Sequence, residues 1–497
     1  MNLQLSYEQR LAEGSSKADA LYLTLREAIR TGSLNEGDKL PSSRQLAAEY
    51  SVSRGSVTAA FDMLYAEGYV RMERGSGTYA SYRMPELLAA DTVPERQRST
   101  MTIDDESIPL SSWAKRLPAA ASPHPIPRGL GPAAILADFR SGQLDPEAFP
   151  SADWKRVMYN EIRRLVERQS EDEYQAEGHL PLRQAIAHEL RRERGIAALP
   201  EDVVITSGSS SALALLAMLL IEPGDSVVLE NPCYSGMKRS VQAAGGKIVP
   251  AAIDDEGIIP ADWKSRLLLV TPNRQFPTGV QLSHARRTEL LEWASRQQAY
   301  IIEDDYDSEF RWGGRPAEPL KSLDGEGRVI YIGTFTKTMY GDLRIGYSVV
   351  PERLRDYIRR GKLMLEPHPS SIAEQRALAA FMGSGQYAKH MRRSRRTFGR
   401  RLSRFKEEAR KHLTELFRFA PSSAGLHQYA TWRLDRPAYE QLRDACEEAG
   451  VRWSSGDGYW LTGESSQAPS ALFGFSHLEE EQIRRGIEEI ARQWDRL

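Results

Sequence analysis

The chain contains 497 residues with a mass of 55.9 kDa, and its formal net charge is −2. Because a single hydrophobic core stops growing near about 250 to 300 residues, this length predicts at least two domains. Hydrophobic residues make up 41% and charged residues 27% of the chain, which is typical of a folded soluble protein and excludes a low-complexity chain or a uniformly basic coat for nucleic acid.

The sequence predicts neither a membrane segment nor a metal site. The longest apolar run, Ala212 to Ile221, is half as long as the roughly 20 residues that cross a bilayer. Residues Met1 to Arg10 lack the apolar stretch of a secretory signal. Cys233 and Cys446 are too few for a disulfide framework or a zinc cage. We therefore expect a cytoplasmic protein.

Three helical patterns, separated by short turns, come first in the chain. Ser16 and Asp19 form a capping-box pattern ahead of a helix that stops at Gly32. Ser43 to Tyr50 is a second, short helix, and Ser53 caps a third helix with one apolar stripe. Two short helices joined by a tight turn are typical of the helix-turn-helix that reads DNA.

A β-hairpin is predicted directly after these helices. Tyr69 to Glu73 and Thr78 to Tyr82 are extended segments joined by a Gly-rich turn, which forms the wing. Reading DNA requires cations for phosphates and short polar side chains near base edges. The candidate DNA-binding residues are Arg44, Arg54, Ser56, Thr58 and, at the wing tip, Arg74. The alternative is that they are solvated surface residues.

Short segments of this region carry a more specific signal than its pattern of helices. They are Leu40-Pro41-Ser42-Ser43-Arg44-Gln45-Leu46-Ala47, Val52-Ser53-Arg54-Gly55-Ser56-Val57 and Gly68-Tyr69-Val70. Through them the region resembles the GntR-type winged helix-turn-helix, and the resemblance implies binding to double-stranded DNA.

A Pro-rich stretch separates this region from the rest of the chain. Eight prolines lie between Pro85 and Pro132 among Ala, Ser and Thr, a composition that neither continues a helix nor pairs in a sheet. The predicted organisation is a winged helix-turn-helix domain over residues 1–83, a linker over 84–135 and a second domain over 136–497.

In the second domain, helix and strand patterns alternate. Val203 to Thr206 is a β-rich run followed by a Ser/Gly loop and the helix Ala212 to Leu220, an arrangement that suits a phosphate. Tyr300 to Asp304 is a strand that ends in carboxylates, and Val329 to Ile332 is a strand that leads to Lys337. Because ligands of open α/β sheets gather at the carboxyl ends of strands, the acid and the lysine are expected to meet a common ligand.

Pyridoxal phosphate requires a lysine for the Schiff base, a carboxylate at the ring nitrogen, an aromatic face and phosphate donors. All four occur in order, in motifs such as Glu303-Asp304-Asp305-Tyr306, Gly333-Thr334-Phe335-Thr336-Lys337 and Leu343-Arg344-Ile345-Gly346. Through these motifs the second domain resembles the fold-type I, aspartate aminotransferase-like enzymes. The resemblance implies an α/β fold with a smaller C-terminal subdomain.

The same resemblance implies roles for individual residues. Lys337 is the catalytic Schiff-base lysine, and Asp304 holds the protonated ring nitrogen. Tyr306 faces the ring oxygen and Tyr234 stacks on the ring. The implied phosphate ligands are Ser209, Ser210, Thr334, Arg344 and, from a neighbouring subunit, Tyr174. A homodimer is thereby implied.

The combination of a GntR-type winged helix, a linker and an aminotransferase-like domain is similar to the MocR-type transcriptional regulators. The segment Pro272-Asn273-Arg274-Gln275-Phe276-Pro277-Thr278-Gly279 strengthens the similarity, because those regulators tend to have Gln-Phe where aminotransferases place Asn. Phe276 cannot hydrogen-bond a cofactor, so Gln275 or Asn273 would have to substitute.

One position departs from the enzymes. Aminotransferases carry an arginine that clamps the substrate α-carboxylate two residues before a strand glycine, and here Leu472 stands two residues before Gly474. Unless Arg274, Arg239 or Arg433 takes over, an ordinary α-amino acid should bind poorly and transamination should be slow or absent.

These observations favour a regulator that binds promoter DNA as a homodimer and uses pyridoxal phosphate in its second domain. The expected effector is pyridoxal phosphate itself or an amino compound without a clamped α-carboxylate. Two alternatives remain open at this point: an active aminotransferase with an accessory winged helix, and a large domain that serves only as a dimerisation scaffold.

Overall fold

A computed structural model gives the fold of the chain. It describes residues 3–73, 76–82, 109–117, 135–167, 175–313, 318–422, 424–461 and 468–497. The chain divides into two compact units, Met1–Pro109 and Leu110–Leu497. Within the described ranges, no helix is both long enough and apolar enough to cross a membrane.

The first unit is a winged helix-turn-helix. Its elements are α1 (Leu3–Ala12), α2 (Lys17–Arg30), α3 (Ser43–Glu49), α4 (Arg54–Ala66), β1 (Val70–Glu73) and β2 (Gly77–Ala80). The three predicted helices begin where expected, because Ser16, Ser42 and Ser53 each accept a hydrogen bond from a backbone N–H of the first turn. The strands β1 and β2 pair antiparallel, as predicted for the wing.

Helix α1 was not predicted. Half of its ten residues are polar, and the short apolar spacing of Leu3, Tyr7 and Leu11 is too weak a pattern to predict a helix by itself. It is held by tertiary contacts: the Tyr7 ring meets the Tyr50 ring edge-on at 5.0 Å, and Arg10 pairs with Glu27 of α2.

The second unit is built from two sheets and the helices packed on them. Its helices are α5 (Ser112–Arg116), α6 (Ser151–Val166), α7 (Leu180–Arg194), α8 (Ser209–Leu220), α9 (Ser235–Ala244), α10 (His284–Arg296), α11 (Leu320–Leu323), α12 (Arg355–Leu365), α13 (Ile372–Gly383), α14 (Gln386–His412), α15 (Arg436–Glu448) and α16 (Glu480–Trp494). Its strands are β3 (Ala137–Phe139), β4 (Val203–Thr206), β5 (Ser226–Asn231), β6 (Lys247–Asp254), β7 (Gly257–Ile258), β8 (Leu267–Val270), β9 (Tyr300–Asp305), β10 (Val329–Thr334), β11 (Gly346–Val349), β12 (Phe417–Phe419), β13 (His427–Trp432), β14 (Val451–Ser455) and β15 (Ser470–Gly474).

Helix α5 corrects the expectation that residues 84–135 cannot form a helix. Ser111 accepts a hydrogen bond from the Ala114 N–H and so caps this short helix. The Arg116 Nε donates to the Ala243 carbonyl oxygen at 3.2 Å, which attaches α5 to the second unit.

The large sheet has eight strands in the order β4-β11-β10-β9-β8-β5-β6-β7. The neighbours from β10 through β6 pair parallel, and β11 runs antiparallel to β10 and β4. Ile332 of β10 lies opposite Asp304 of β9, so the carboxyl ends of these strands meet at one edge. The central strands β8, β9 and β10 are almost wholly buried, which explains the apolar sequences of β8, of most of β10 and of the first half of β9, before its three carboxylates.

The smaller sheet, in the order β12-β13-β15-β14-β3, forms the C-terminal subdomain. Strand β3, which is near the start of the second unit, pairs parallel with β14 and closes this sheet. Ala471 and Phe473 of β15 pack into the core of the subdomain, so Leu472 and Gly474 lie on the opposite face. The predicted α/β fold with a smaller C-terminal subdomain is confirmed.

Candidate functional site

A cavity of about 270 Å³ lies at the carboxyl ends of β9 and β10. Eight of the nine residues that the sequence predicts to bind a cofactor line it: Ser209, Ser210, Tyr234, Asp304, Tyr306, Thr334, Lys337 and Arg344. The ninth, Tyr174, lies outside the described residues. The fold thus brings together side chains that are as much as 135 positions apart, from Ser209 to Arg344.

Lys337 follows the end of β10, and its amine faces the cavity. The Nζ donates a hydrogen bond of 3.4 Å to the carbonyl oxygen of Gly142. Burial lowers the pKa of Lys337, and Arg344 lowers this pKa further, whereas Asp307 raises it. A lysine with a lowered pKa holds more of its amine in the neutral, nucleophilic form, which is the form that attacks a carbonyl carbon.

Asp304 lines the cavity and has an unsatisfied oxygen. Its side chain is buried, and its Oδ1 has no hydrogen-bond partner among the residues that the structure describes. Burial raises the pKa of Asp304 to about 7, with further contributions from Asp305 and Glu230. Because a buried acceptor without a donor costs free energy, this oxygen is a favourable partner for an N–H group, such as a protonated pyridine nitrogen.

The opposite end of the cavity is suited to a phosphate. Ser209 and Ser210 are the first residues of α8, where backbone N–H groups have no partner within the helix. The Arg344 Nη2 donates to the Ser207 carbonyl oxygen at 3.4 Å. A Cβ atom on Gly208, which has a φ of 92°, would lie 2.7 Å from this Nη2, so only glycine leaves room for the guanidinium.

An aromatic cluster surrounds the middle of the cavity. The Phe276 ring meets four other rings edge-on, those of Tyr234 at 5.8 Å, Tyr306 at 5.5 Å, His427 at 5.6 Å and Tyr459 at 5.0 Å. Phe276 therefore packs between these four rings through aromatic contacts, and its side chain forms no hydrogen bond.

Neither of the proposed substitutes for the missing asparagine is available. The Asn273 Nδ2 donates to Glu303 at 3.3 Å and to Asp305 at 3.1 Å. The Gln275 Nε2 donates to the Pro232 and Phe276 carbonyl oxygens at 2.7 and 2.6 Å. Both amide nitrogens are engaged in the protein, although the Asn273 Oδ1 has no partner among the described residues, and neither side chain lines the cavity.

Sequence reasoning missed several lining residues. They come from loops and from the C-terminal subdomain: Ser141, Gly142, Gln143, Thr271, Thr336, Leu426, His427 and Tyr459. Among them, Thr336 belongs to the lysine motif, and its hydroxyl is buried without a partner in the described part of the chain. Its position beside Lys337 could have indicated it; the others have no local signal.

Among the described residues, none of the arginines that the sequence offers as substitutes for Leu472 is a free cation in the cavity. Leu472 is fully buried. Arg274 is also buried, and its Nη1 lies 3.0 Å from Asp307 and 2.8 Å from the Tyr306 hydroxyl, so its charge is already paired. Arg239 and Arg433 are exposed and do not line the cavity. Lys337 and Arg344 are the only lysine or arginine side chains among the described lining residues.

In the first unit, two of the predicted DNA-binding residues are free. Arg44 on α3 and Arg54 at the start of α4 are exposed and form no ion pair with any residue described. Ser56 and Thr58 are engaged in the first turns of α4, because the Ser56 hydroxyl lies 2.9 Å from that of Ser53 and the Thr58 hydroxyl donates to the Arg54 carbonyl. Arg74 lies outside the described residues.

The wing carries cations that the sequence reasoning did not single out. The Arg71 guanidinium and the Lys39 amine approach the Tyr79 ring, at 5.5 and 5.7 Å from its centre. Lys39 adds positive charge to the segment before α3, whereas Arg71 also pairs with Glu73 at 3.2 Å.

Comparisons with known proteins agree with both units. Residues 136–462 match the family of class I and II aminotransferases, and residues 17–80 match the gntR family of bacterial regulatory proteins. A relative in Rhizobium meliloti, named "Probable rhizopine catabolism regulatory protein MocR", is 34% identical over 95% of this chain and 92% of its own length. The HTH-type pyridoxine biosynthesis transcriptional regulator PdxR of Corynebacterium glutamicum is 30% identical over 94% of this chain and 93% of its own.

The fold of the second unit matches solved enzymes. Pyrococcus horikoshii kynurenine aminotransferase superposes with a TM-score of 0.68 and 23% identity, covering 79% of this chain and 98% of the enzyme. This likeness shows a common fold.

Proposed function

The chain belongs to the MocR-type transcriptional regulators, and from this premise we propose that its second unit binds pyridoxal phosphate and makes operator binding depend on that cofactor. The observation that carries the proposal is the convergence of Lys337, Asp304 and Arg344 on one cavity. These three side chains would supply a covalent anchor, a partner for a ring nitrogen and a partner for a phosphate, respectively.

Each end of the cavity has a defined task. Pyridoxal phosphate supplies an aldehyde that bonds to an amine and a ring that withdraws electrons. The Lys337 amine is held at the cavity wall by Gly142, and Asp304 offers its unpaired Oδ1 to the ring N–H. Arg344 and the first turn of α8 neutralise the phosphate. The aromatic cluster around Phe276 keeps water from the ring.

The effector we propose is pyridoxal phosphate itself or an amine without an α-carboxylate. A carboxylate that entered the cavity would find no lysine or arginine among its described lining residues except Lys337 and Arg344, because Arg274 is buried and paired with Asp307 and Leu472 is apolar. An anion left unpaired inside a pocket costs several kcal/mol. The name of PdxR, a pyridoxine biosynthesis regulator, supports the first possibility.

Homodimerisation and a cytoplasmic location belong to the same proposal. Large apolar side chains are exposed on two helices of the second unit: Tyr159, Ile162 and Val166 on α6, and Tyr357, Leu363, Met364 and Leu365 on α12. Clusters of this kind mark surfaces that another protein covers, and a second copy would cover them symmetrically. A dimer would present two winged helices to repeated half-sites.

The visible spectrum tests the cofactor. When the wild-type protein binds pyridoxal phosphate, it should show an absorbance band above about 400 nm, as other lysine-bound cofactors do. Borohydride should then fix the cofactor covalently. Lys337→Ala should lose both properties, whereas Lys264→Ala, at an exposed lysine paired with Asp262, should keep them. Covalent cofactor in the Lys337 variant would refute the assignment.

Fluorescence anisotropy tests the DNA contacts. With random-sequence duplexes, Arg44→Ala and Arg54→Ala should each weaken binding and reduce the salt slope by about one if the side chain contacts a phosphate. Arg30→Ala, at an exposed arginine that ends α2, is the control. Unchanged affinity and slope in both test variants would contradict the proposed docking.

A further inference from the structure

A second cavity, of about 240 Å³, adjoins the candidate site. Thr334, at the end of β10, lines both cavities. The second cavity lies among β10, β11, α7 and α14, and the residues assigned above to the cofactor, apart from Thr334, do not line it.

The walls of this cavity are aromatic. Phe335, Tyr331, Tyr347 and Tyr387 line it, and all four are at least nine-tenths buried. The ring of Phe335 lies 5.7 Å from that of Tyr347 and 5.8 Å from that of Tyr387. Gly333 permits this arrangement, because a Cβ atom there would lie 2.3 Å from the Tyr347 Cζ. The faces of such rings attract cations.

One carboxyl group in the wall lacks a donor. The Glu309 Oε2 is buried and has no hydrogen-bond partner in the part of the chain described. Burial raises the pKa of Glu309 to about 7, and the neighbouring Asp305 adds to this effect. The Glu309 Oε2 therefore lacks the donor that its charged form needs.

The nearby arginines do not supply it. Arg194 forms its ion pair with Asp305 instead. The Arg395 Nε donates to the backbone oxygen of Glu309, and its Nη2 lies 3.7 Å from Glu193 at the rim. The Arg311 Nε donates to the Gly313 carbonyl oxygen. Each of these arginines donates to a group other than the Glu309 side chain, and no described arginine donates to the Glu309 Oε2.

We propose that this cavity binds a small primary amine with an apolar body, whose ammonium group pairs with Glu309 and whose body packs on Phe335, Tyr347 and Tyr387. An anionic ligand would be repelled by the charged form of Glu309 and would offer no donor to its unpaired oxygen. A wholly apolar ligand would leave the Glu309 oxygen buried without a donor. An amine satisfies both the carboxylate and the aromatic faces. This site is distinct from the proposed cofactor pocket.

Tyramine is a suitable probe, and 4-ethylphenol is its matched control because it has the same ring without the ammonium group. Full-length protein is loaded with pyridoxal phosphate, reduced with borohydride and freed of unbound cofactor, so that tyramine cannot react at Lys337. Calorimetric titration should then show tyramine binding. The affinity for 4-ethylphenol should be lower by about tenfold or more, as expected for loss of a charged hydrogen bond.

Variants assign the binding to the cavity. Glu309→Gln should weaken tyramine binding about tenfold or more, whereas Glu189→Gln, at a rim carboxylate paired with Arg192, should leave it unchanged. Met382→Phe, which adds volume at a lining position, should also reduce binding without removing a charge. Circular dichroism shows whether each variant is folded.

Three results would overturn the proposal: no tyramine binding, equal binding of 4-ethylphenol, or unchanged binding in folded Glu309→Gln. If the protein carries no pyridoxal phosphate, reduction has no target and the proposed function fails, but the effect of Glu309→Gln on tyramine binding still decides the second site.

Discussion

Replacing Asp304 by asparagine should weaken cofactor binding and, at the same time, stabilise the empty protein at alkaline pH. In the empty cavity burial raises the pKa of Asp304 from 3.8 to about 7. Because the folded protein binds this proton more tightly than the unfolded chain, stability falls as the pH rises from about 4 to about 7 and does not fall further above that range. The shift corresponds to a cost on the order of 4 kcal/mol above pH 8, which asparagine avoids.

With cofactor bound, the charged form of Asp304 is expected to stabilise the protein instead of destabilising it. The Asp304 carboxylate then accepts a charged hydrogen bond from the ring nitrogen, which is worth about 1.5 to 3 kcal/mol. Asp304→Asn should therefore weaken pyridoxal phosphate binding by about ten- to a hundredfold. Titration of the empty protein by absorbance measures this affinity, and thermal unfolding at pH 6 and pH 8.5 measures the stability.

Asp305 provides the matched control on the same strand. Its Oδ2 accepts hydrogen bonds from Tyr331 at 2.7 Å and from Asn273 at 3.1 Å, and it pairs with Arg194, so it has the partners that Asp304 lacks. Asp305→Asn should destabilise the protein and leave cofactor affinity nearly unchanged. The proposed role of Asp304 is wrong if Asp304→Asn binds pyridoxal phosphate as tightly as the wild type does. It is also wrong if the gain in stability of this variant is the same at both pH values.

Two further substitutions test the two ends of the site. Gly208→Ala should place a Cβ 2.7 Å from the Arg344 Nη2 and so weaken pyridoxal phosphate binding about tenfold or more. The same absorbance titration measures this affinity, and an unchanged affinity would contradict the prediction. Asp307→Asn should leave Arg274 without its carboxylate partner, so that L-alanine binds about tenfold more tightly while ethylamine does not. Spectral titration of the cofactor-loaded variant measures both amines, and an equal change for the two would show that Arg274 does not reach the carboxylate.

Local signals in the sequence were sufficient for much of the fold. Helix α4 begins at the predicted Ser53 cap, and β9 and β10 appear at the predicted apolar runs, because caps and buried parallel strands leave short-range patterns. Helix α1 and the addition of β3 to the C-terminal sheet could not be predicted, since both depend on contacts between residues distant in sequence.

The difference between local sequence signals and contacts between distant residues also decides which residues of the site could be predicted. Asp304, Lys337 and Arg344 were predictable because each sits in a motif at the end of a strand or beside one. Tyr459 and Gly142 enter the cavity from other parts of the fold, and nothing in their neighbouring residues indicates it. The pairing of Arg274 with Asp307 also required the structure, because a sequence does not tell a free arginine from a neutralised one.

A regulator needs a ligand that interacts differently with two states of the protein, and Asp304 is the group in this cavity best suited to provide that difference. When the cavity is empty, its oxygen is buried without a donor; a bound ring N–H removes that cost. Under the proposed function, an amino acid would not draw on the same difference by its carboxylate, because Leu472 is apolar and Arg274 is paired with Asp307. Since a ligand shifts an equilibrium only by its differential affinity, we expect cofactor occupancy, more than amino-acid turnover, to supply the free energy for switching in the proposed regulator.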